Sequence, residues 1–172
     1  MNLVLIGYRG TGKSATAGLL ADRLGLAAVG MDAELVRRFG KPISEFVAEK
    51  GWDAFRDAES ELAEELGRKD GLLIDCGGGV VIRAGNVRAL RANGRSVWLK
   101  AGVDTIARRI GGDDRRPSLT GTKSFVEEIE EVLTQRLPLY EEASDFSVDT
   151  DSLTVEQVAE AVLSDWRSAL GS

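Results

Sequence analysis

Leu3, Val4, Leu5 and Ile6 form an uninterrupted apolar run that stops at Gly7, and from Lys13 the positions Ala17, Leu20, Ala21 and Leu24 recur at helical spacing. A short apolar run without polar alternation is the mark of a strand buried on both faces, as in parallel sheets. The opening therefore reads as strand, loop and helix. Helical spacing returns over Ala33 to Phe39, Ile43 to Val47 and Trp52 to Leu66, the last with acidic residues on its outer positions. Leu72-Leu73-Ile74 predicts another buried strand, whereas Ala27-Ala28-Val29 is a weak one. Further on, Ala84 to Asn93 predicts a helix, Ser96 to Leu99 a strand, and Asp104 to Ile110 a helix that begins near a capping acid. After a polar, breaker-rich stretch from Gly111, helical spacing resumes over Phe125 to Leu137, Phe146 to Val148 predicts the last strand, and Val155 to Leu170 a closing helix.

This alternation predicts an α/β fold of three αβα layers, with a central parallel sheet of about five strands and ligands at the carboxyl ends of those strands. The glycine runs sit at those ends. With 172 residues, 43% of them hydrophobic, the chain suits one domain with a substantial core. Against 22 Lys and Arg stand 28 Asp and Glu, and the formal charge of -6 disfavours nucleic acid as a partner, so anionic ligands must be held locally. The first apolar run is too short for a signal peptide, and no later stretch approaches membrane-spanning length, so a cytoplasmic protein is expected. A single cysteine, Cys76, excludes an internal disulfide and a cysteine-cluster zinc site, and the absence of histidine excludes Ser-His and Cys-His dyads. Chemistry here must run on Asp, Glu, Lys and Arg.

Gly7-Tyr8-Arg9-Gly10-Thr11-Gly12-Lys13-Ser14 fits the P-loop pattern G-x-x-x-x-G-K-[ST], and it lies between a predicted strand and a predicted helix, the context that pattern requires. Glycines let backbone N–H groups curl around phosphates, the helix N-terminus adds partial positive charge, Lys13 reaches the β- and γ-phosphates, and Ser14 ligates magnesium. Gly10, Thr11, Gly12, Lys13, Ser14 and Ala15 are the expected ATP-binding residues, with Mg2+ as cofactor. The loop does not fix the phosphate acceptor, because ATPases, GTPases and small-molecule kinases share it. No Asn-Lys-x-Asp guanine-reading motif occurs, and the chain is too short for the modules of motor or transporter ATPases, which makes a small-molecule kinase the leading class.

Asp32, Phe55-Arg56-Asp57-Ala58-Glu59, Gly77-Gly78-Gly79, Arg116-Pro117 and Arg136-Leu137-Pro138-Leu139-Tyr140 follow the P-loop in the order and rough spacing of shikimate kinases, and the chain resembles that family over nearly its whole length. The resemblance implies transfer of the ATP γ-phosphoryl group to the 3-hydroxyl of shikimate, with magnesium required. It further implies a core of 1–31, 67–110 and 125–172, a substrate-binding segment over 32–66, and a lid over 111–124, working as a monomer. Gluconate kinase is the rival enzyme, and a non-catalytic nucleotide-binding relative is the rival without chemistry.

Shikimate is a small carboxylate with three hydroxyls, so its site needs a forked cation and an acceptor for hydroxyl protons. Arg56 and Arg136 suit the first role, although Arg56 could simply pair with Glu59 on its own helix and Arg136 could cap a helix before Pro138. Asp32 suits the second, orienting the 3-hydroxyl and taking its proton. Gly77, Gly78 and Gly79 offer backbone donors and a close approach, as a wall of the shikimate and γ-phosphate site. Arg116 in the lid resembles the arginine that folds over the phosphates and counts as catalytic, with Arg115 as its competitor. Arg109 takes the position that resembles an adenine-stacking arginine.

One departure stands out. Shikimate kinases carry Asp-x-Asp at the end of the second strand, the first acid helping to hold magnesium, and here the segment reads Gly30-Met31-Asp32. Asp75, at the end of a buried strand, is placed like a Walker-B acid and is expected to replace the missing carboxylate, making Ser14 and Asp75 the metal residues.

Overall fold

The structure is a computed structural model and describes residues 1–111 and 124–171. Five strands, β1 (Asn2–Ile6), β2 (Ala27–Gly30), β3 (Leu72–Asp75), β4 (Gly94–Lys100) and β5 (Phe146–Asp149), form one sheet in the order β2-β3-β1-β4-β5, and all pairings are parallel. Because the P-loop strand β1 is central, its end is flanked on one side by the end of β3 and on the other by that of β4.

The continuous apolar strands are explained by two cores, one on each face. Along β1, Leu3 and Leu5 pack into one core and Val4 and Ile6 into the other. The same split divides Val97 and Leu99 from Trp98 in β4, as a period of two demands. Helices α1 (Lys13–Leu24) and α8 (Val155–Leu170) cover the face of Leu3 and Leu5 with Leu20, Val158, Val162 and Trp166. The other face is covered by α2 (Met31–Phe39), α3 (Ile43–Lys50), α4 (Trp52–Gly67), α5 (Ala84–Arg91), α6 (Val103–Ile110) and α7 (Phe125–Ala143), which supply Met31, Leu35, Leu62, Leu90, Ile106 and Ile129. A short 3₁₀ turn, Val80–Ile82, follows the three glycines.

The expected elements are present, with three differences. The weak strand β2 is the sheet edge, where Ala27 and Ala28 face solvent, so it needs no apolar run of its own. Helix α6 is not capped by Asp104: its N-cap is Gly102, whose N–H donates to Asp151 at 2.9 Å, and Asp104 only adds negative charge to the first turn. Helix α7 does not stop near Leu137 but runs through Pro138 to Ala143. Proline removes one backbone donor and disfavours a helix interior. Here the last turns are retained by packing, since Tyr140 and Ala143 are buried and the Tyr140 ring stacks on Trp98 at 5.7 Å.

Candidate active site

The P-loop is shaped by its own glycines and hydrogen bonds. Gly10 and Gly12 take φ values of 79° and 89°, a region that a side chain disfavours. Thr11 donates from Oγ1 to the Tyr8 carbonyl at 2.8 Å, and the Lys13 ammonium donates to the carbonyls of Gly7 and Tyr8 at 2.8 and 3.0 Å. Helix α1 begins at Lys13 with Gly12 as N-cap, no capping side chain and no acid in its first turn. Its first N–H groups are therefore open to an anion, and the helix dipole favours one.

Ser14, one residue into that helix, donates its hydroxyl to Asp75 Oδ2 at 2.5 Å. Asp75 ends β3, and its register partner on the edge strand is Gly30. Asp32 stands in the first turn of α2, just beyond that glycine. Lys13, Ser14, Asp32, Asp75 and Gly78 thus line one cavity of about 710 Å³, together with Arg9, Val36 and Ile43.

The glycine run after β3 is the point where the other sequence-predicted residues converge. A Cβ at Gly77 would fall 2.7 Å from Asp32 Oδ1 and 3.1 Å from Glu59 Oε2. At Gly78 it would lie 3.6 Å from Arg136 Nη1, and at Gly79 it would be 2.3 Å from Arg56 Nη1. A side chain at 77 or 79 would have to displace Asp32 or Arg56, so this crowding favours glycine there. The Tyr140 hydroxyl donates to the Gly78 carbonyl at 2.6 Å and ties α7 to the run.

Arg56 is held firmly: its Nη1 donates to Glu59 Oε1 at 2.7 Å, and its guanidinium lies over the rings of Trp52 and Phe55 at 5.4 and 5.2 Å. Glu59 is only 1% exposed, and burial raises its carboxyl above the usual range while the Arg56 charge opposes that rise. Arg136, also buried, lies over the Tyr8 ring at 5.9 Å; it sits inside α7 and does not cap a helix end. Both guanidiniums line a second cavity of about 400 Å³ with Trp52, Ile82, Val132 and Leu139, and with the polar Glu131 and Gln135. Two guanidiniums on one small cavity, against the one acid Glu131, leave a cationic site that suits a carboxylate.

Arg109 lies on the far side of the P-loop. Its guanidinium donates to the Thr150 hydroxyl and carbonyl, both at 3.1 Å, and to the Gly10 carbonyl at 3.3 Å, so it fastens α6 to the loop after β5. Arg115 and Arg116, with the rest of 112–123, lie outside the described residues. Ala15 lines the large cavity beside Ser14. Sequence reading passed over three neighbours: Trp52, which supports Arg56; Tyr140, which was visible only as the end of the R-x-P-L-Y run; and Arg9, an unspecified position of the P-loop pattern.

Among the described residues no three acidic or cysteine side chains gather into a metal cluster, and no helix is long and apolar enough to cross a membrane. A donor set of one hydroxyl and one carboxylate is nevertheless sufficient for Mg2+ in a phosphate site, because that ion keeps several waters and takes substrate phosphates as ligands.

The comparisons with known proteins fit this geometry. A family model described as shikimate kinase matches residues 9–167. The chain is 37% identical to a shikimate kinase of Rhodopirellula baltica over 99% of its length and 92% of that protein's. It is 38% identical to one of Thermodesulfovibrio yellowstonii, covering 96% of this chain and 94% of that one. The structure of a shikimate kinase from Acinetobacter baumannii in complex with shikimate superposes with a TM-score of 0.92 at 28% identity, covering 98% of this chain and 93% of the other. A P-loop on the central strand, a glycine wall ringed by one aspartate and two arginines, and relatives matched along the full length lead to one assignment: this chain belongs to the shikimate kinase family.

Proposed function

We propose that the chain transfers the γ-phosphoryl group of ATP to the 3-hydroxyl of shikimate, giving shikimate 3-phosphate and ADP, a step of aromatic amino acid biosynthesis. The observation that carries this reading is the convergence of Asp32, Arg136 and Arg56 on Gly77, Gly78 and Gly79, directly beside the P-loop. Arg56 and Arg136 hold the carboxylate at the deep end, which turns a hydroxyl of the ring toward Asp32. Asp32 orients that hydroxyl and accepts its proton as the oxygen attacks phosphorus. The bond from phosphorus to the β,γ-bridging oxygen breaks, and its electron pair leaves on ADP. Lys13 and the open N–H groups of α1 hold the β- and γ-phosphates, and Arg109 borders the adenine side.

Magnesium fits the residues present, with Ser14 and Asp75 as its protein partners. Support comes from the 2.5 Å hydrogen bond that already draws the two oxygens together at the start of α1. When bound, the ion neutralises charge on the β- and γ-oxygens during transfer. Residues 32–66 form the acceptor-binding segment in this reading. The reading takes a monomer as the working unit, and the charge of -6 supports small anions rather than nucleic acid as ligands.

The test is a coupled ADP-release assay of the purified protein with shikimate, with gluconate, and with neither, followed by mass analysis of the acceptor. Shikimate-dependent ADP release with one added phosphate on shikimate is expected. Release with gluconate alone, or tight ATP binding without turnover on either acceptor, overturns the proposal.

A further inference from the structure

Arg9 occupies the third position of the P-loop, and its half-buried side chain enters the 710 Å³ cavity. That cavity has Lys13 and Ser14 on the nucleotide side and Asp32 and Gly78 on the acceptor side. The backbone on either side of Arg9 is fixed: Tyr8 is 1% exposed beneath Arg136, and at Gly10 a Cβ would meet Ile110 Cγ2 at 2.5 Å. The Arg9 backbone nitrogen lies 3.4 Å from where a Gly78 Cβ would stand. Arg9 is thus pinned at the seam between phosphate cradle and acceptor wall.

Among the described residues its Nε has no partner. Nε is shielded from solvent without a hydrogen-bond acceptor, and among the described residues Arg9 makes no salt bridge, although Asp32 and Asp75 line the same cavity. Arg56 and Arg109, by contrast, are fastened to Glu59 and Thr150. A buried donor left without an acceptor is costly, so the arrangement favours an anion that arrives with the substrates. The seam between donor and acceptor is where the group in transfer passes, with its negative charge spread over three equatorial oxygens.

We infer that Arg9 is a further catalytic residue, donating to the oxygens of the phosphoryl group as it crosses from ATP to the acceptor hydroxyl. This rests on the phosphotransferase reading above. Arg9 forms no bond and moves no proton; it stabilises charge that reaches this position only once the phosphoryl group has begun to leave ATP.

The test compares the parent enzyme with Arg9→Met, which keeps length and loses every donor, and Arg9→Lys, which keeps charge without the fork. Arg9→Met is expected to lower kcat about 10- to 100-fold while both KM values stay within about threefold, the pattern of a contact made only in the transition state. Arg9→Lys recovers part of that loss, and the melting temperature is unchanged in both. Calorimetry gives a second readout: with ADP present, Arg9→Met weakens binding of shikimate 3-phosphate more than binding of shikimate. The inference is overturned if Arg9→Met keeps kcat within about twofold of the parent, or if its defect lies wholly in the KM for ATP. A fall in melting temperature with Arg9→Lys no better than Arg9→Met overturns it as well. A parent enzyme inactive on shikimate sinks the functional reading itself, whereas an active parent matched by Arg9→Met sinks only the role of Arg9.

Discussion

Gly30 and Asp75 are direct partners across β2 and β3, so the carboxylate absent from the end of one strand stands on the end of its neighbour. Ser14 already donates to that carboxylate. Gly30 has φ -89°, and a Cβ there would meet only Ala33 Cβ at 3.7 Å, an ordinary contact, so nothing in the backbone demands glycine. Asp75→Asn is expected to weaken the magnesium dependence of ADP binding, read by calorimetry across a Mg2+ titration, by about tenfold or more. Gly30→Asp in an Asp75→Ala background should recover part of it. Titrations of Asp75→Asn that overlay the parent would rule out a metal role for Asp75.

Gly79→Ala separates function from stability. The added methyl would displace the Arg56 guanidinium, which is the far end of a flexible side chain, so the fold is expected to lose less than about 1 kcal/mol. The KM for shikimate should nevertheless rise about tenfold or more, because a forked cation tolerates little misplacement. The KM for ATP should stay near the parental value. A large drop in melting temperature, or an unchanged shikimate KM, contradicts this account.

Cys76 follows Asp75 into the core, and burial raises its thiol well above the ordinary range, with the Asp75 charge adding to the effect. The native protein at pH 8 is expected to resist a thiol reagent, whereas the urea-unfolded chain reacts at one site. Rapid labelling of the folded protein would show that the β3 end opens.

On α2 the Glu34 carboxylate accepts from Arg37 at 2.6 and 2.9 Å and from Arg38 at 2.8 Å, and these bonds lower its pKa from 4.5 to about 2. A carboxyl depressed by folding stabilises the native state above its unfolded value and loses that contribution as pH falls through its folded one. Glu34→Gln should therefore be the less stable protein at pH 7, with the gap narrowing between pH 4.5 and about 2. Urea midpoints of the two proteins across that window decide it; a gap that does not narrow removes Glu34 from the explanation.

Much of this molecule was legible in the order of its residues. The P-loop and its flanking elements could be read because a buried strand, a glycine turn and an amphipathic helix each leave a separate local signature. Asp75 could be singled out because an acid at the end of an apolar run is conspicuous. The extent of α7 could not, since Pro138 argues locally for a stop and only the burial of Tyr140 and Ala143 overrides it. Nor could the purpose of the three glycines be read locally, because what disfavours a side chain at 77 and 79 is the approach of Asp32 and Arg56 from elements far away in sequence. Arg9 was hidden for a simpler reason: the P-loop pattern leaves its position open to any residue.

The crowding at the glycine wall also bears on how such a pocket could change its substrate over generations. A mutation at 77 or 79 adds atoms where Asp32, Glu59 and Arg56 already stand, so substitution there disturbs the anchors without making room. The 710 Å³ cavity is also lined by Val36, Pro42 and Ile43, among which Val36 is partly open to solvent. Trimming Val36 or Ile43 creates room without touching an anchoring residue. A lineage drifting toward a bulkier hydroxy acid would be found by its changes at α2 and the start of α3, with its glycines intact.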